Sequence, residues 1–138
     1  MRAVLVSLLV AACATTMTPP PERVAGCWIE RGPHTATMRW LPDPARGGAL
    51  VGALLVYSAT TVLRATRYAL TADGPSWELC ELGSAGDVTQ CWGVAQGEGG
   101  SLAGGRAFID QSGGRLRIAI VGDGSERVIF QGQRDGCD

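Results

Sequence analysis

The sequence predicts an all-β fold, an antiparallel up-and-down meander of about eight or nine strands forming a closed or nearly closed barrel, and three observations carry that prediction. From Val24 onward, short β-prone runs alternate with clusters of Gly, Pro and Asp. The clearest run, residues 115–121, places Leu116, Ile118 and Ile120 on one face and Arg115 and Arg117 on the other, as a strand with one buried and one wet face requires. Finally, so many sequential strands in one small domain leave two unpaired edges unless the sheet closes on itself.

Taken in order, the runs are residues 25–30, 35–41, 50–57, 61–70, 76–82, 88–96, 106–110, 115–121 and 126–133. The stretches between them are turn chemistries that supply positive-φ residues, such as 31–34, 42–48, 83–87 and 111–114. Residues 49–57 would also suit a buried helix, but nine residues rich in Val and Leu and flanked by glycines favour a strand. Along 61–70, polar and apolar residues mix on both faces, so the pattern does not decide which side faces inward. A barrel of about eight strands has an interior that side chains fill or that holds one small ligand.

The 138 residues suffice for one domain, with a formal net charge of -1 and acids and arginines interspersed. Nothing in this balance attracts nucleic acid or an anionic surface. All twelve basic residues are arginine, a bias from which no function follows.

The N-terminus reads as an export signal over residues 1–12: Arg2, then an apolar run too short to span a membrane. Its ending, Val10-Ala11-Ala12-Cys13, resembles the lipobox of bacterial lipoproteins, which implies acylation of Cys13. Residues 13–23 then form a proline-rich tether and residues 24–138 the barrel domain. The resemblance also implies a cell-envelope location with the domain in the periplasm. Ala14 carries no retention signal, which points to the outer membrane. The membrane, reached through the lipid anchor, is the first expected partner.

Setting Cys13 aside leaves Cys27, Cys80, Cys91 and Cys137, an even number suited to an oxidising compartment. Four cysteines allow three connectivities. Pairing Gly83 with Val88 sets Cys80 opposite Cys91, and closure of the barrel brings Cys27 beside Cys137 as a seam staple. Metal binding is not expected, because there is no Cys-x-x-Cys and the sole histidine, His34, lies in a turn. Cofactors are not expected either.

No catalytic constellation emerges. His34 has no Gly-x-Ser-x-Gly elbow to serve, and Glu78 and Glu81 have opposite strand parity. The glycine-rich stretch 97–105 lacks the Lys-Ser/Thr of a phosphate loop and reads as a flexible loop. Trp28, Trp40, Trp77 and Trp92 lie in or beside strands and supply core area, unless one or two line a pocket.

The segment Val24-Ala25-Gly26-Cys27-Trp28, then Trp40-Leu41-Pro42, then Gly47-Gly48-Ala49-Leu50-Val51-Gly52, resembles an uncharacterised family of bacterial lipocalin-like domains that open with Gly-Cys-Trp. Against that family's pattern, Met38 stands for a Glu, Leu50 for a Met and Leu55 for an Arg, and no His-Asp-Phe-Pro segment occurs near residues 104–110. The resemblance implies a barrel and transfers no catalytic residue. Two functions follow as expectations. One is a binding module holding a small hydrophobic ligand near Trp28, Trp40, Leu50 and Tyr57. The other is a filled barrel acting as a structural or protein-binding component of the envelope, comparable to small lipoprotein inhibitors of lysozymes.

Overall fold

The computed structural model describes residues 20–74, 76–95, 106–122 and 124–137. Nine strands form one closed barrel in sequence order: β1 (Gly26–Glu30), β2 (Thr35–Pro42), β3 (Leu50–Ser58), β4 (Thr61–Asp73), β5 (Ser76–Leu82), β6 (Val88–Val94), β7 (Arg106–Ser112), β8 (Arg115–Gly122) and β9 (Ser125–Asp135). Every expected run is a strand, including β3, so the helical alternative for that segment falls. Cys13 and the glycine-rich stretch 97–105 lie outside the described residues.

One pairing departs from the antiparallel meander. β6 and β7 run parallel, joined by only two residue pairs, Gly93 with Arg106 and Val94 with Ala107. Strand directions cannot alternate all the way round a ring with an odd number of members, so nine strands require at least one parallel pair. Here the mismatch falls between β6 and β7, which lets β9 close on β1 antiparallel, with Cys27 opposite Asp135 and Ile29 opposite Gln133.

The expected tether also ends earlier than composition suggests. Pro20–Val24 is a helical turn, α1, and both Pro21 and Val24 are buried. Prolines are tolerated in a helix's first turn because those N–H groups have no intrahelical acceptor. The turn lies at one end of the barrel, the upper rim, together with the β2–β3, β4–β5 and β7–β8 connections. Trp28 Nε1 donates to the Val24 carbonyl at 2.8 Å, and Arg23 donates to the Ile109 carbonyl at 3.3 Å.

The structure settles the ambiguous face of β4. Thr66, Tyr68 and Leu70 oppose Leu54, Gly52 and Leu50 of β3 and point inward. The pattern was mixed because β5 pairs with β4 only from Arg67 onward, leaving Thr61 to Ala65 beside β3 alone and exposed.

Inside, Trp28, Trp40, Phe130, Met38, Leu54, Leu70, Leu79, Leu116 and Ile118 are less than 2 % exposed and belong to one continuous cluster. Two glycines make room for the aromatics. The Trp40 ring lies over Gly52, its cross-strand partner, and a Cβ there would come within 2.7 Å of the ring. Gly132 is closed in by the Ile29 carbonyl and the Phe130 ring. Gly52→Ala is therefore expected to push Trp40 off its seat and cost roughly 1–3 kcal/mol, read as a lower urea midpoint with an unchanged slope. Wild-type stability in this variant would show that the ring relaxes freely.

Candidate functional site

The four cysteines pair as strand register suggests. Cys80 stands opposite Cys91 on β5 and β6, with a Cα–Cα distance of 4.0 Å, and the two are bonded. The hairpin reaches this alignment through a bulge, since Leu82 rather than Gly83 opposes Val88. Cys27 and Cys137 are bonded across the β1–β9 seam, 5.4 Å apart at Cα. The Glu78 carboxylate lies beside the Cys80 and Cys91 sulfurs, with potential ligand atoms within 4.8 Å of one another. Because the sulfurs are joined to each other, they are not the thiolates a zinc site uses.

The four residues expected near a ligand do not converge on a cavity. Trp28 and Trp40 are each 1 % exposed and belong to the core. Arg134 covers the Trp28 ring at 4.2 Å. Trp40 Nε1 is buried with no hydrogen-bond partner. Tyr57 is half-buried and has the outward parity of β3. Leu50 alone combines core burial with a concave surface, at the upper rim. Spacing assigns a residue to a face of a strand; whether neighbouring side chains fill the space before it depends on the whole ring.

Two concavities stand out, and both open to the outside. The larger, about 630 Å³, is a polar cleft across β7, β8, β9 and β1. Register explains its lining. Asp110 and Gln131 both oppose Arg117, while Ser112 and Gln133 both oppose Arg115, and Ile29 opposes Gln133. Opposed residues share a face, and Leu116 and Ile118 already point inward, so this set faces out. Arg31 completes it from the β1–β2 connection. Arg117 is ion-paired with Glu126, and Glu30 accepts a hydrogen bond from the Gln131 backbone. Arg31 and Arg115 take part in no ion pair among the described residues. The sequence showed Arg115 and Arg117 as an outward face; their neighbours from three other strands needed the closed register.

The smaller concavity, about 420 Å³, lies at the upper rim between α1, the β2–β3 connection and Trp77, and its lining is mainly apolar. Toward the other rim, Tyr68 and Glu81 oppose one another across β4 and β5 with inward parity. Burial pushes the Tyr68 hydroxyl above its ordinary value, and the Glu81 carboxylate pushes it further, against the opposing pull of Arg127 and Arg64. Because the folded state holds this proton more tightly, the associated stability is full below pH 10 and is lost as pH rises through the folded value. Urea denaturation across pH 9–12 should show this fall, and Tyr68→Phe should flatten it. An identical slope in both proteins would assign the alkaline loss to other groups.

His34 is exposed in the β1–β2 connection, and Glu78 and Glu81 lie on opposite faces of β5. Among the described residues no helix is long and apolar enough to cross a membrane. No protein-family model, curated protein or solved structure matches the chain. The closed nine-strand barrel is compatible with a lipocalin-like fold.

Proposed function

We propose that this chain is an envelope lipoprotein, anchored through Cys13 with its barrel in the periplasm, and that the barrel is a filled, non-catalytic scaffold that binds a protein partner. The observation that carries this reading is the interior. Trp28, Trp40, Phe130 and Met38 occupy the space where a lipocalin-type ligand would sit, and close-packed side chains leave little room for a guest. The hollow-cup alternative thereby loses two of the four residues assigned to it, because Trp28 and Trp40 face their neighbours rather than a cavity.

The outer polar cleft is the surface we assign to the partner. Arginine is enriched at energetic centres of protein interfaces, and Arg31 and Arg115 are unpaired there among the described residues. Two disulfides and closed strand pairing make that surface rigid, which lowers the entropy cost of association. The opening resembling Gly-Cys-Trp lipocalin-like domains agrees with such a scaffold and adds no chemistry.

The test uses the full chain in its membrane. A photo-crosslinking residue at Gln133 should capture one periplasmic protein reproducibly, and Arg31→Glu with Arg115→Glu should weaken that complex by about tenfold or more. Indifference to both charge reversals would remove the cleft as the contact surface. Native mass spectrometry of the extracted protein should show no additional hydrophobe. A retained lipid would restore the ligand-carrying reading.

A further inference from the structure

The apolar concavity at the upper rim has no role in the scaffold just described. Its walls are Pro21 of α1 and Ala25 just after it, Pro42, Ala49 and Leu50 around the β2–β3 connection, and Trp77 of β5. Val24 of α1 is fully buried in the core cluster, and Trp77 packs against that cluster half-buried, so two sides of the groove are held by the core. A volume of about 420 Å³ falls within the range of small-molecule sites.

Charge narrows the occupant. Among the described residues, the ionisable side chains lining the groove are Glu22 and Asp43, both acidic, and Asp43 also accepts the Ala45 backbone N–H at 2.9 Å. A fatty-acid carboxylate or an anionic phospholipid head would meet like charge there. A chain attached to an uncharged head would not.

Connectivity narrows it further. The polypeptide enters the barrel through the groove's own wall, since Pro21 and Glu22 line it. From Cys13 to Pro20 the backbone spans at most about 25 Å. Covalent connection therefore confines a group carried on Cys13 within reach of the groove, at a local concentration in the millimolar range.

We infer that this groove is a docking site for one acyl chain of the protein's own Cys13 lipid anchor, whose glyceryl thioether head is neutral. The inference rests on the lipidation of Cys13 proposed above. An anchor chain seated between α1 and Trp77 ties the upper rim to the membrane surface.

Cells fed a diazirine-bearing fatty acid supply lipidated protein whose intact mass is recorded first. The purified full chain is then placed in nanodiscs of unlabelled neutral phospholipid, irradiated and digested. The expected result is intramolecular crosslinking of the anchor chain to peptides carrying Pro42, Leu50 or Trp77. Pro42→Glu, an exposed rim position, should reduce that yield severalfold while its near-ultraviolet circular dichroism stays native. Crosslinks to nanodisc lipid alone overturn the inference. So does marking of the groove only when the diazirine is carried by the nanodisc lipid, which makes a bilayer lipid the occupant. An intact mass without acyl groups overturns the lipidation reading itself, and with it this inference, before any irradiation.

Discussion

Replacing Cys27 and Cys137 together with alanine is expected to lower the free energy of unfolding by about 4–5 kcal/mol. The bond spans 110 residues of sequence, so it removes far more freedom from the unfolded chain than Cys80–Cys91, whose partners are 11 residues apart on one hairpin. Enthalpic strain aside, the chain-entropy relation gives the short bridge nearer about 3 kcal/mol. Strand pairing at the seam it secures is short, since β1 and β9 share three residue pairs. Equilibrium urea unfolding of the double variant against wild type reads the difference directly. A loss near 1 kcal/mol would mean that strand pairing alone keeps the ring closed.

Trp28→Ala should be the most damaging single core substitution, at about 3–5 kcal/mol. The side chain is 1 % exposed and carries three separate jobs. Its ring fills the interior, its Nε1 donates to the Val24 carbonyl, and its face carries Arg134. Removing it opens a cavity, leaves a carbonyl of α1 without its donor and frees a guanidinium beside the seam. Trp28→Phe separates these effects, keeping most of the volume while losing the hydrogen bond, and should recover more than half of the loss. Equal destabilisation by both variants would place the energy in the hydrogen bond instead of the ring.

Most of the strands were legible because each is a local object. Period-two alternation in residues 115–121 and turn residues at 83–87 and 111–114 define β5, β7 and β8 to within two residues. The Cys80–Cys91 bridge was legible for the same reason, since register across one short turn is arithmetic. The parallel β6–β7 pair was not, because direction around a ring is a property of all nine strands together. The burial of Pro21 was missed because a proline-rich run reads as tether, whereas the first helical turn accepts proline without losing a hydrogen bond. For Trp28 and Trp40 the spacing allowed either core area or the lining of a pocket, and both belong to the core. Only the mutual positions of Met38, Leu54 and Phe130 show that the volume beside them is already taken. The outer cleft was half visible, as Arg115 and Arg117, and the other half arrives from residues up to about a hundred positions away, such as Ile29 and Gln131.

The Cys27–Cys137 bond also changes what the chain is as a covalent object. Between those two residues the polypeptide is a macrocycle, from which the N-terminal arm branches. One proteolytic cleavage inside the cycle linearises it without dividing it, so a nicked molecule keeps every strand and stays joined to its arm. A second cleavage in the cycle releases a fragment unless just one of the two cuts lies between Cys80 and Cys91. Damage to the backbone and loss of the protein thus become separate events.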